Sequence, residues 1–199
     1  IASTEGKKSR NVVEYGIEAL KAVWHRGAVD ADGKTGDGAG IHVEIPKDFF
    51  IEKIEVTGHT HDNSEICVGM IFLPRNDYAA QESCKTIVES ELTKNDFNIY
   101  GWRQVPVNPK VLGEKAFQTM PEIIQVLFKP HNKELTNKDL ERKIYETRRK
   151  IENEAFKKSL NNFYICSLSS KSIIYKGMFL AEAISEFYLD LNDERFVSR

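Results

Sequence analysis

The feature that most constrains this chain is the stretch His25-Arg26-Gly27-Ala28-Val29-Asp30-Ala31-Asp32-Gly33-Lys34-Thr35-Gly36-Asp37-Gly38-Ala39-Gly40-Ile41. It holds five of the twelve glycines in seventeen residues. Glycine serves where backbone takes positive φ or closely approaches another group. The run joins a helix-patterned segment to a strand-patterned one, so it reads as a shaped loop and not a linker. The simpler alternative is a tight connection without chemistry, because turns favour Gly and Asp in any case. Gly36-Asp37-Gly38-Ala39-Gly40 resembles a phosphate cradle, but nucleotide loops leave a strand and open a helix. Here the order is helix, loop, strand, and no Gly-Lys-Ser/Thr follows, which excludes that use.

The rest of the chain is ordinary. Its 199 residues suit one domain, or one plus an appendage, with a real core. Hydrophobic content of 41% beside 29% charged residues reads as globular. A net charge of −2 gives no footprint for a nucleic-acid partner. No apolar run reaches the roughly 18 residues of a membrane span, and the first residues lack the apolar core of a signal peptide. Cys67, Cys84 and Cys166 are odd in number and not spaced as Cys-x-x-Cys, so free thiols are expected rather than a disulfide framework.

Val13, Ile17, Leu20 and Trp24 put one apolar face on a helix over 11–24, with Asn11 and Glu14 as a capping box. Residues 40–45 alternate as a strand, and 49–65 read as a polar connection. His59-Thr60-His61-Asp62 within it could ligate a metal if it were a strand; without a third ligand motif it reads as an exposed turn, and no metal is expected. The apolar run 66–73 predicts a strand buried on both faces, with Cys67 as a packed small hydrophobe. A helix over 79–92, strands over 97–105 and 123–128, and a charged helix over 135–158 follow. The last is capped by Thr136 and Asp139, paired Glu146 to Lys150, and solvated on its charged face. Strands 163–168 and 172–175 are expected to form a hairpin around Ser169-Ser170-Lys171, a commonplace turn rather than a Ser-Lys catalytic pair. A short helix over 181–188 ends the pattern.

With these stretches in view, the chain resembles the glutaminase domain of the large subunit of glutamate synthase, a class II, N-terminal-nucleophile amidotransferase. The resemblance rests on His25-Arg26-Gly27-Ala28 and Asp32-Gly33-Lys34-Thr35-Gly36-Asp37-Gly38-Ala39-Gly40-Ile41. It continues through Gly69-Met70-Ile71-Phe72-Leu73-Pro74 and Gly101-Trp102-Arg103-Gln104-Val105-Pro106-Val107-Asn108. Phe163-Tyr164-Ile165-Cys166-Ser167-Leu168-Ser169-Ser170 and Tyr175-Lys176-Gly177-Met178 complete it. The resemblance implies an α+β, four-layer αββα fold. It implies a cysteine nucleophile at the mature N-terminus that attacks the side-chain amide of L-glutamine, with its own α-amino group as base.

Ile1 aligns just after that cysteine, and the family's next strand is expected beyond Arg199. Residues 1–199 are therefore expected to be a partial glutaminase domain, inactive alone, with the nucleophile upstream of Ile1. The alternative is an interaction module that kept the scaffold and lost the nucleophile. The resemblance carries Arg26 and Gly27 over as lining of the glutamine pocket. It further implies FMN and an iron–sulfur cluster in other domains and none here, the remaining domains and a small electron-donating subunit as partners, and a cytoplasmic or plastid-stromal location.

Overall fold

The computed structural model describes residues 1–23 and 27–199. Its elements run α1 (Arg10–Ala22), β1 (Ala39–Glu44), α2 (Lys47–Val56), β2 (Cys67–Leu73), α3 (Tyr78–Lys94), β3 (Phe97–Gln104), α4 (Glu114–Gln118), β4 (Glu122–Pro130), α5 (Asn137–Lys157), β5 (Tyr164–Ser169), β6 (Ser172–Gly177) and α6 (Ile184–Phe187). They fall into two compact units, one of Ile1–Phe49, Val105–Met120 and Ile174–Arg199, the other of Phe50–Gln104 and Pro121–Ile173.

The second unit is a four-stranded sheet in the order β3-β4-β2-β5, with every pair antiparallel. Cys67, Ile71 and Leu73 of β2 and Ile124, Val126 and Phe128 of β4 project to one face. There they join Cys84, Ile87, Val88 and Leu92 of α3 and Leu140, Ile144 and Ile151 of α5 in one aliphatic core. The intervening residues Val68, Met70 and Leu127 are buried as well, which is why these strands read as near-continuous apolar runs. The edge strands each carry a bulge. In β3 the register shifts between Ile99 and Gly101, and in β5 it shifts opposite Met70 and Ile71. An extra residue reverses which parity faces inward, so Trp102 joins the core side beside Phe97 and Ile99. Its indole nitrogen then donates to Glu89 of α3 at 2.6 Å.

The first unit is held differently. β1 pairs with β6 in a two-stranded sheet, and α1 packs on β1 and on the 3-10 turn Ala181–Ala183. Its centre is aromatic: Tyr175 meets Tyr188 at 4.9 Å and Phe196 at 5.5 Å, and Phe49 meets Phe196 at 5.4 Å, all edge to face. The two buried phenols are satisfied, Tyr175 donating to Asp190 at 3.0 Å and Tyr188 to the Lys176 carbonyl at 2.8 Å.

Several expectations change. The polar connection over 49–65 contains α2, whose Phe49, Phe50 and Ile54 are fully buried; intervening Glu52, Lys53 and Glu55 mask the helical spacing. The hairpin expected over 163–175 does not form. β5 pairs with β2 and β6 pairs with β1, in separate sheets. The turn between them is fixed by Glu141, which accepts from the Ser169 hydroxyl and from the Ser170 amide and hydroxyl. That arrangement occupies both hydroxyls of the discarded Ser-Lys pair. The N-cap position of the first helix is Ser9 rather than Asn11, its side chain makes no capping hydrogen bond, and Glu14 pairs with Arg10 at 3.1 Å. Trp24 lies outside the described residues. Thr136 and Asp139 do cap α5, whereas Glu146 pairs with Arg142 and Lys150 donates to Asn95. The last helix begins as a 3-10 turn and becomes α6 only over Ile184–Phe187.

Candidate functional site: the glycine-rich loop

The loop is a hairpin. Val29 bridges Gly36 in antiparallel sense, the Asp30 amide donates to the Thr35 carbonyl at 2.9 Å, and the Asp37 amide donates to the Ala28 carbonyl at 3.2 Å. Its tip is closed by the Gly33 amide on the Asp30 carbonyl at 3.0 Å. Asp32 organises the turn as an Asx motif: one carboxylate oxygen accepts from the Lys34 and Thr35 amides at 2.9 and 2.7 Å, the other from the Thr35 hydroxyl at 2.6 Å. The Thr35 hydroxyl, with these amides, holds the Asp32 carboxyl well below the usual carboxylate range, because hydrogen bonds to the charged form favour it.

The loop divides sharply by exposure. Residues 27–34 are exposed, while Thr35 is 2% exposed and Gly36 is buried. Two contacts anchor the buried end. Gly36 lies against the chain at Phe179, so close that a Cβ there would sit 2.7 Å from the Phe179 carbonyl oxygen. On the other side Thr35 meets the start of α4, its hydroxyl accepting from the Ala116 amide at 3.4 Å. Gly113, which precedes α4, is packed so tightly here that a Cβ would overlap Asp32 Oδ2 and Thr35 Oγ1. An ion pair ties the exposed lobe to the same helix, Lys115 to Asp30 at 2.9 Å; Lys115 is the main reason the Asp30 carboxyl is lowered.

Of the residues expected to line a pocket, Gly27 stands exposed in a bend at the entry to this lobe. Arg26 lies outside the described residues. Sequence reasoning missed Gly113 and Lys115. A glycine followed by Glu114 does mark a helix start, but nothing in the sequence links it to a loop about eighty residues earlier.

The other chemical candidates resolve elsewhere. His59 Nδ1 lies 3.1 Å from the Thr57 hydroxyl, and His61 Nε2 lies 3.0 Å from the Ser64 carbonyl. Asp62 is paired with Lys129 and Lys133 at 2.8 and 2.9 Å, which with Ser64 hold its carboxyl low, Lys129 most of all. Burial first, and Asp62 second, push the neighbouring Tyr100 phenol up to about 12. Among the described residues no group of three His, Cys, Asp or Glu side chains is placed to hold a metal ion. None of the three cysteines is in a disulfide, and their exposures are 0, 0 and 4% for Cys67, Cys84 and Cys166. Burial pushes the Cys67 thiol well above its ordinary range and the Cys84 thiol up to about 11, so neither supplies a thiolate near neutral pH. No described helix is long and apolar enough to cross a membrane.

The family model described as "Glutamine amidotransferases class-II" matches residues 1–199. The chain is 56% identical over 198 residues to the glutamate synthase [NADPH] large chain of Azospirillum brasilense. It is 40% identical over 200 residues to ferredoxin-dependent glutamate synthase 1, chloroplastic/mitochondrial, of Arabidopsis thaliana. It is 38% identical over 200 residues to the chloroplastic ferredoxin-dependent glutamate synthase of Spinacia oleracea. All of this chain is covered in each case, and it spans only 12–13% of the length of these relatives.

Proposed function

The chain belongs to the class II glutamine amidotransferases, and from that membership we propose that residues 1–199 form part of the glutaminase domain of a glutamate synthase. The substrate is L-glutamine. A cysteine thiolate attacks its side-chain amide carbon, ammonia leaves, and water resolves the thioester; hydrogen-bond donors stabilise the oxyanion at each tetrahedral stage. The nucleophile is a cysteine outside these 199 residues, with its α-amino group as base, and the burial of Cys67, Cys84 and Cys166 supports that assignment. The 199 residues alone are expected to release no ammonia. Ammonia passes to a distant synthase domain that converts 2-oxoglutarate to glutamate.

The observation that carries this reading is the form of the family's loop motif: a hairpin buried at Thr35 and Gly36 that leaves Gly27 in an exposed lobe. Arg26 and Gly27 line the glutamine pocket in this account. Gly27 has no side chain, so its backbone is open to a ligand's polar groups. FMN and an iron–sulfur cluster are assigned to other domains: the three buried cysteines do not make a cluster site, and no step here runs through either group. A small subunit that delivers electrons, and a cytoplasmic or plastid-stromal location, complete the proposal; the Spinacia relative is named chloroplastic.

The test is ammonia release from glutamine by the full-length protein, wild type against Gly27→Val. Turnover is expected to fall at least tenfold while the thermal midpoint stays nearly unchanged. Equal loss of both would make Gly27 a structural glycine only. A folded wild type that releases no ammonia would overturn the glutaminase reading and leave an interaction scaffold.

A further inference from the structure

We propose that Thr35, through Asp32 and the Gly113 backbone, is a positioning residue for glutamine binding: it fixes the exposed lobe 27–34 to the start of α4. The inference rests on the glutaminase reading above. Thr35 joins the lobe's internal order to its attachment at a buried position. Its carbonyl accepts from the Asp30 amide, its amide and hydroxyl donate to the Asp32 carboxylate, and its hydroxyl accepts from the Ala116 amide. At 2% exposure the hydroxyl has no bulk water to take over these bonds, and a buried partner left unpaired is costly. The Lys115–Asp30 pair is exposed and bears on the same lobe, but surface ion pairs of this kind contribute little. The hydroxyl clamp therefore dominates.

Gly113 completes the clamp from the other side. Its backbone lies at φ −70° and ψ 164°, a conformation open to any residue. Its lack of a side chain is thus not explained by backbone strain. It is explained by contact, since a Cβ would overlap Asp32 Oδ2 and Thr35 Oγ1. Two unlike substitutions, removal of the Thr35 hydroxyl and addition of a methyl at Gly113, should therefore displace the same lobe.

A pocket wall that shifts as a body weakens ground state and transition state alike, which raises KM and leaves kcat nearly unchanged. In the full-length protein, Thr35→Val and Gly113→Ala are each expected to raise the KM for glutamine at least tenfold, with kcat within about threefold of wild type. Thr35→Ser, which keeps the hydroxyl, is expected to restore KM. Amide hydrogen exchange supplies a readout independent of turnover: the Asp30 and Asp37 amides, protected by the hairpin, should exchange faster in Thr35→Val and not in Thr35→Ser. Unchanged KM in Thr35→Val with an active wild type overturns the positioning role and leaves the glutaminase reading standing. A Thr35→Ser protein as defective as Thr35→Val assigns the effect to the methyl group and overturns it too. If wild type itself is inactive the glutaminase reading fails, and exchange rates unaltered by Thr35→Val then overturn the clamp as well.

Discussion

The two units of this chain are stabilised by different means. The unit built from Phe50–Gln104 and Pro121–Ile173 is regular: four antiparallel strands, two long helices on one face, and a mainly aliphatic core between them. The other is assembled from three separated segments around a two-stranded sheet. It relies on edge-to-face aromatic rings, two hydrogen-bonded phenols and glycines at which backbones nearly touch. A two-stranded sheet is marginal on its own, so its order comes from those non-periodic contacts. The candidate loop belongs to this second kind of structure, and its geometry is set by particular contacts rather than by a repeating pattern.

The largest expected effect tests whether the aromatic cluster carries the irregular unit. Phe196→Ala removes a fully buried ring between Phe49 and Tyr175 and should cost about 3–5 kcal/mol in chemical denaturation. A loss under about 1 kcal/mol would remove the cluster from that role. Tyr175→Phe keeps the ring and deletes only the donor to buried Asp190; about 1–3 kcal/mol is expected from the same measurement. In the regular unit Ile71→Val removes one methyl group from a site that is 0% exposed. It should cost only about 0.5–1.5 kcal/mol, and a loss equal to that of Phe196→Ala would erase the contrast.

The smallest effect is electrostatic. Asp62, paired with Lys129 and Lys133, has a folded-state pKa below its unfolded value. Its contribution is therefore present above the unfolded pKa of about 4 and is lost as pH falls below it. The stability gap between wild type and Asp62→Asn should shrink from pH 6 to pH 3, read from denaturation midpoints. A gap independent of pH would contradict the ion-paired assignment.

What could be read in the sequence follows the same division. The apolar runs of β2 and β4, the helix α5 and its Thr136 cap were legible, because regular elements leave regular sequence. α2 was not, since Glu52, Lys53 and Glu55 interrupt its apolar face. Pairing was not legible either: Tyr164–Ser169 and Ser172–Gly177 look like a hairpin, yet Glu141, some thirty residues earlier, fixes a turn that sends them to different sheets. In the loop, the glycine count announced a shaped backbone. The clamp through Gly113 could not be found, because a contact between residues about eighty positions apart leaves no local pattern.

The measurement on which the account turns is the site of covalent labelling when the full-length protein reacts with an electrophilic glutamine analogue, mapped by peptide mass spectrometry. One labelled cysteine outside residues 1–199 is expected, with Cys67, Cys84 and Cys166 unmodified in the folded protein. A label on any of those three, with glutamine protecting against it, would contradict the account.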